Sequence, residues 1–294
     1  MKRGISAFAG ALVLMLGLTG PAFAGKDGYG SIQAPIKDVP TPPFMTAQSY
    51  SLKCPPRWPY ALAGGYSFRI LYEGDPQPSS GVAIENFPND TRAWTVRTFN
   101  YDPSVGGSSP RLGSMCAKRD PEFRVRHRTV NVAPGATTGV VAKCGRKEDV
   151  VSAGWLIGNY APVGGSEILV AESRRLDERR WRATGVNLGH ADGPLELVIN
   201  CSKRTPPLRE SSAVVPLESG RESSVTPECR KGRAAYSYGF DAIDDEGNAV
   251  GYGYGSYPYP GGSGWNVDVA GLDGLTAGAT ATTYGYCGSY NIDH

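Results

Sequence analysis

The chain has 294 residues, with 30 Lys and Arg against 28 Asp and Glu and a formal net charge of +2. That balance argues against a nucleic-acid partner, which calls for a concentrated basic domain. Thirty-nine glycines, 23 prolines and short apolar runs point to strands and turns with almost no helix.

Residues 1–24 read as a secretory signal. Lys2 and Arg3 supply the positive start, Ile5 to Gly20 the apolar stretch, and Ala22-Phe23-Ala24 a small-residue cleavage site before Gly25. The apolar core is short for a spanning helix and no second hydrophobic segment follows, so no membrane span is expected once the signal is removed. The expected address is secreted: extracellular, or periplasmic in a Gram-negative source. Both excess charges belong to the signal, which leaves 28 basic and 28 acidic residues after it. Residues 25–45, with Pro35, Pro40, Pro42 and Pro43, form an extended leader. It is either a worn copy of the linkers found later or a disordered N-terminus.

From there the chain repeats itself. The six cysteines fall as Cys54…Cys116, Cys144…Cys201 and Cys229…Cys287, with steps of 28 residues from Cys116 to Cys144 and from Cys201 to Cys229. About ten residues after each opening cysteine a glycine sits in an apolar run: Leu62-Ala63-Gly64-Gly65-Tyr66, Val151-Ser152-Ala153-Gly154-Trp155 and Tyr236-Ser237-Tyr238-Gly239-Phe240. A tryptophan then opens a second run, at Trp94, Trp181 and Trp265, and Asn100, Asn187 or Gly271 follows six residues later. The linker from Cys116 to Arg124 matches that from Cys201 to Arg209, with Lys118-Arg119 against Lys203-Arg204 and Pro121 against Pro206. Such a period marks an internal triplication. It divides the chain into the leader at 25–45, β-repeat 1 at 46–116, linker plus β-repeat 2 at 117–201, and linker plus β-repeat 3 at 202–294.

Each repeat reads as a leading strand, a Gly-bearing strand, a middle strand, a Trp strand and a Cys-ending strand. Alternation in Ala93 to Phe99, Gly165 to Val170 and Leu195 to Ile199 carries that reading. The expected fold is all-β: three homologous disulfide-locked units, pseudo-threefold and β-prism-like, or three small β-sandwich units in tandem. Glu172 to Arg182 reads as a charged loop facing the Trp strand. Secretion with an even cysteine count predicts disulfides. Two symmetric pairings fit the repeat, within units or stapling neighbours through Cys116–Cys144, Cys201–Cys229 and Cys54–Cys287. The within-unit set Cys54–Cys116, Cys144–Cys201 and Cys229–Cys287 is expected, since each unit can then lock independently. The three tryptophans are expected in the core, and Asn100 and Asn187 are expected to settle turns by bonding local backbone.

The order Cys54-Pro55, Ala63-Gly64-Gly65-Tyr66, Phe87-Pro88, Trp94-x-Val96, Asn100 and Met115-Cys116-Ala117 resembles a repeat of secreted bacterial, especially actinobacterial, proteins of unassigned activity. Repeat 3 matches at Tyr257-Pro258, Gly264-Trp265 and Tyr286-Cys287; repeat 2 departs, with Cys144-Gly145 and Arg174-Arg175. The resemblance implies a β fold and an extracellular address. A looser likeness of architecture is to β-prism proteins such as jacalin-type lectins, which is a weak guide to function.

Catalytic motifs are missing. Gly261-Gly262-Ser263-Gly264-Trp265 lacks the last glycine of a nucleophile elbow, and His127, His190 and His294 pair with no partner in sequence. No catalytic residues and no cofactor are expected. Asp241, Asp244, Asp245 and Glu246, with Asn248, form the densest oxygen-rich stretch; it matches no calcium loop, reads first as a solvated hairpin turn, and is only a weak metal candidate. The segments before the tryptophans differ between repeats, and loops that diverge on a fixed frame carry function. Repeat 2 offers Arg174, Arg175, Arg179 and Arg180 to an anionic polymer. Repeat 3 offers Tyr252, Tyr254, Tyr257 and Tyr259, whose rings combine an apolar face with a polar tip, to a neutral glycan. The function expected is therefore non-catalytic binding of carbohydrate or a cell-surface polymer. The alternatives are an extracellular structural or matrix protein, and an inhibitor or toxin-like module acting on a protein partner. Oligomeric state is not legible.

Overall fold

The computed structural model describes residues 32–67, 81–100, 110–259 and 262–289. The expected signal lies outside these residues, as does the first part of the leader. The described residues form strands joined by turns, with no helix. The leader contributes β1 (Ile32–Gln33) and β2 (Ile36–Asp38). Repeat 1 contributes β3 (Thr46–Lys53), β4 (Tyr60–Ser67), β5 (Gly81–Asp90), β6 (Ala93–Asn100) and β7 (Arg111–Ala117). Repeat 2 contributes β8 (Arg124–Val132), β9 (Thr137–Lys143), β10 (Asp149–Ile157), β11 (Ile168–Arg175), β12 (Arg180–Asn187) and β13 (Gly193–Ser202). Repeat 3 contributes β14 (Arg209–Pro216), β15 (Glu222–Val225), β16 (Arg233–Asp241), β17 (Gly251–Pro258), β18 (Trp265–Gly271) and β19 (Thr280–Ser289).

One pairing scheme occurs three times. The Gly strands β4, β10 and β16 pair antiparallel with the Cys-ending strands β7, β13 and β19. The middle strands β5, β11 and β17 pair with the Trp strands β6, β12 and β18. Each linker is a pair of strands, not the single leading strand expected. Its first strand, β8 or β14, lies on the Cys-ending strand, and its second, β9 or β15, lies on the Trp strand. At the start of the described chain, β2 of the leader lies on β7, and β3, which opens repeat 1, lies on β6 in the same manner.

The repeats are not separate sandwiches. The middle strand of one repeat continues the sheet of the next: β5 pairs β10 through Asn86↔Trp155 and Glu85↔Leu156, and β11 pairs β16 through Glu172↔Asp241 and Ser173↔Phe240. Two six-stranded sheets result, each half from one repeat and half from its neighbour. At the third junction β17 packs along β4, with the Gly65 position against Ser256.

The recurrent glycine is what makes these junctions close. A Cβ at Gly154 would lie 1.9 Å from Asn86 O, one at Gly239 2.7 Å from Ser173 O, and one at Gly65 2.2 Å from Ser256 O. At each junction the middle strand of a neighbouring repeat occupies the space that a side chain would need. Before each glycine the Gly strand is bulged, between Ala61 and Ala63, Val150 and Ser152, and Ala235 and Ser237. A bulge bends a strand and increases its twist, here turning it from its own repeat toward the neighbour. The hydroxyls of Ser152 and Ser237 donate to Leu62 O and Val151 O on the adjacent Gly strand, both at 2.6 Å.

Trp94, Trp181 and Trp265 are buried, at 1, 1 and 0% exposure. Their indole N–H groups donate to Asn86 Oδ1, Ser173 Oγ and Ala235 O, so burial of the ring leaves no orphan donor. The aromatics that follow the junction glycines, Tyr66, Trp155 and Phe240, are buried too, and Trp155 meets Phe240 edge-on at 6.0 Å. The disulfides are Cys54–Cys116, Cys144–Cys201 and Cys229–Cys287. Asn187 bonds local backbone at its turn as expected, and both asparagines also reach beyond it. Asn100 donates to Pro42 O, and Asn187 donates to Val132 O and Ala191 O while accepting from the N–H groups of Glu167 and Gly189. Each ties the linker hairpin to the end of the Trp strand.

Candidate functional site

The hairpins between middle and Trp strands all fold back on the start of their own Gly strand. Thr91 O, Glu178 O and Gly262 O accept from the N–H groups of Ala61, Val150 and Ala235. Next to them Arg92 O, Arg179 O and Ser263 O accept from Cys54, Cys144 and Cys229. Three divergent turns are thus braced identically, each by backbone bonds to a disulfide cysteine.

In repeat 2 the turn borders a cleft of about 640 Å³ lined by Lys143, Arg175, Asp177, Glu178, Arg179 and Arg180. The segment expected as a charged loop is largely strand, with Arg174 and Arg175 ending β11 and Arg180 opening β12. Strand alternation therefore divides the four arginines. Arg174 turns away from the cleft to an ion-pair cluster, with its Nε 2.8 Å from Glu172 Oε1 and 3.0 Å from Asp241 Oδ2. Glu172 is 1% exposed, and it also accepts from Arg182 and from the Thr184 hydroxyl. A carboxylate this deep is tolerable only because donors surround it. Burial, with Glu172 alongside, raises the Asp241 pKa above the ordinary aspartate range.

Arg180 is spent on Asp177, Nε to Oδ2 2.6 Å. Despite the cost of burial, the N–H groups of Arg179 and Arg180 and the Arg180 guanidinium hold the Asp177 pKa below its usual value. Arg179 lays Nη2 on Cys144 O at 3.3 Å. Its Nε and that of Arg175 are buried without a hydrogen-bond partner among the described residues. Burial lowers the Arg175 pKa, against the attraction of Asp149 and other nearby acids. Asp149 is itself raised, by burial first and then by Glu178. Lys143 stands directly opposite Arg180 across β9 and β12, a like-charge pair that costs free energy unless an anion lies nearby.

Sequence reasoning missed Lys143 and Asp149, one residue before and five after Cys144; their place beside the hairpin depends on the backbone bonds from Cys144 and Val150 to Arg179 and Glu178. Beyond them Glu148, with its side chain 4% exposed, is held by Arg124 and Arg126 and by Gly145 N–H. The Arg126 hydrogen bond, against the cost of burial, lowers its pKa.

The four tyrosines do not form one platform. Tyr254 is 2% exposed and belongs to the core, Tyr252 and Tyr257 are half-buried, and Tyr259 is 44% exposed. The segment is β17, the strand that closes the junction with repeat 1. Pro258 and the Tyr257 Cβ lie against the Gly113 position of β7, and Tyr252 meets Tyr254 edge-on. The glycines that accompany the tyrosines serve that closure: a Cβ at Gly253 would strike the Phe240 ring.

The acidic stretch is a closed turn. Asp244 Oδ1 accepts from Asn248 N–H, and Asp244 N–H donates to Asn248 O. Asp241 faces Arg174, apart from that turn. No cluster of three His, Cys, Asp or Glu able to hold a metal ion occurs among the described residues, so Asp241, Asp244, Asp245 and Glu246 do not assemble as ligands. No described helix is long and apolar enough to cross a membrane. No family model matches the chain, and no curated protein matches it in sequence.

Proposed function

We propose that this is a secreted, non-catalytic binding protein for carbohydrate or a cell-surface polymer, and that the repeat-2 cleft is its contact site. One observation carries the reading: of three turns braced in the same way, the repeat-2 turn borders a cleft that brings Lys143, Arg175, Arg179 and Arg180 together with Asp177 and Glu178. Its lining supplies hydrogen-bond donors and fixed charge on strands and a disulfide-anchored turn, which is the equipment of recognition. The disulfides support an extracellular address, because such bonds persist in oxidising compartments. The half-buried Tyr257 and exposed Tyr259 supply a lesser surface for stacking on a sugar face.

A pull-down of the disulfide-intact protein on neutral and acidic polysaccharides tests the reading. Retention that is lost when Lys143, Arg179 and Arg180 are replaced together by glutamine supports it. Failure to bind any polysaccharide of either class overturns it and favours a structural repeat protein.

A further inference from the structure

We infer that Arg175 and Arg179 form an anion-reading pair within the repeat-2 cleft, and that the group they take is the carboxylate of an acidic, uronate-type polysaccharide. This rests on the binding reading above and narrows it.

The four arginines are unequal. Arg174 is committed to Glu172 and Asp241, and Arg180 to Asp177. Arg175 and Arg179 make no ion pair among the described residues, yet both are partly sequestered and both line the cleft. Each keeps a buried Nε–H without an acceptor. A buried donor left unsatisfied is costly, and a buried cation more so. Folding retains both cations here without a carboxylate partner, and their cleft-lining portions are left for a ligand anion.

The pair is preorganised. The Arg175 N–H donates to the buried Tyr286 hydroxyl at 2.8 Å, which fixes the end of β11. The Arg179 N–H donates to Asp177, its carbonyl accepts from Cys144 N–H, and its guanidinium rests on Cys144 O. Cys144 is covalently tied to Cys201. A guanidinium presents its donors in a rigid planar fork that matches the two oxygens of a carboxylate.

The lining also sets the charge density of the partner. Asp177 and Glu178 sit among the four cations, so the cleft carries a modest positive excess. Asp177 and Glu178, with Asp149 nearby, repel a densely sulfated chain more than a chain that carries one carboxylate per sugar. The same residues make the site selective through repulsion as well as attraction.

The test uses the disulfide-intact protein with three probes: polygalacturonate, its fully methyl-esterified form, and dextran sulfate, each titrated at 0.15 M salt. The expected order is polygalacturonate tightest, dextran sulfate weaker per charge, and the ester weakest. Arg175→Gln and Arg179→Gln should each weaken polygalacturonate binding by about ten- to a hundredfold, the worth of a charge-assisted hydrogen bond. Arg221→Gln, which removes an exposed arginine paired with Glu218 outside the cleft, should change it by less than about fivefold. Arg179→Lys separates fork from charge and should bind nearly as poorly as Arg179→Gln. Circular dichroism confirms that each variant is folded; if Arg175→Gln is not, the Arg179 variants decide. Native-like binding by folded Arg175→Gln and Arg179→Gln overturns the inference, as does tighter binding of dextran sulfate or equal binding of the ester. In those cases the polysaccharide-binding reading survives. Loss of all three probes in the wild-type protein overturns the inference, and if neutral glycans also fail, the binding reading falls with it.

Discussion

Replacing Gly154 with alanine should open the junction between repeats 1 and 2. A methyl carbon there would stand 1.9 Å from Asn86 O and 2.7 Å from Phe87 Cα. Both obstacles are backbone, so no rotamer change relieves the clash, and the strands must part by more than 1 Å. Among the described residues the junction ladder comprises Asn86↔Trp155 and Glu85↔Leu156, and a shift of that size breaks it. Each hydrogen bond lost costs about 0.5–1.5 kcal/mol, and overpacking strain adds about 1–3 kcal/mol. The expected destabilisation is therefore about 2–6 kcal/mol, read as a lower midpoint in urea unfolding with disulfides intact. Gly139→Ala is the matched control. It also lies in a strand, but its Cβ comes no closer than 3.2 Å to any atom, the Thr184 Oγ1, and meets no backbone atom nearer than 3.9 Å, so it should cost below about 1 kcal/mol. Equal midpoints for Gly154→Ala and wild type would refute the close-approach argument.

Other outcomes follow from the same geometry. Trp94→Ala, Trp181→Ala and Trp265→Ala should each cost about 3–5 kcal/mol in the same unfolding assay, whereas a change under about 1 kcal/mol at any one would contradict its role as a core plug. Glu172→Ala leaves Arg174 and Arg182 facing each other without their shared carboxylate and should cost about 3–5 kcal/mol; thermal melts check it. Glu148 has a lowered pKa, so its stabilisation is present above the ordinary glutamate pKa of about 4.3 and is lost as pH falls through the folded value; Glu148→Gln should remove that part of the acid dependence. Tyr238 is pushed up to about 12 by burial. A raised pKa in the folded state contributes stability that is full below the unfolded tyrosine value of about 10 and is lost as pH rises toward 12, so alkaline unfolding should begin in that window, and Tyr238→Phe should blunt it in a pH-jump absorbance titration.

Much of the frame was legible in the cysteine, glycine and tryptophan periods, because each marks a place where geometry leaves little choice. The disulfides need paired strands, the junction glycines face another backbone, and the tryptophans fill each repeat. What was hidden depends on partners far along the chain. Nothing local in Glu85-Asn86 says that it will pair with Leu156-Trp155 and merge two repeats into one sheet. The reach of Asn187 to Val132, and of Asn100 to Pro42, is equally invisible to local turn chemistry. The tyrosine segment misled for a related reason. Aromatic and glycine alternation looks like a binding surface when read alone, yet β17 is a closing strand and its glycines admit Phe240 and β4. The arginine cluster was visible as composition, but only strand alternation and the depth of Glu172 separate Arg174 from Arg175.

The central claim is that three repeats form one interlocked body through shared sheets and not three tandem units. Differential scanning calorimetry of the disulfide-intact protein tests it most directly. One transition with equal calorimetric and van't Hoff enthalpies is the predicted result. Two or three resolved transitions, or a calorimetric enthalpy well above the van't Hoff value, would mean that the repeats melt independently and would contradict it.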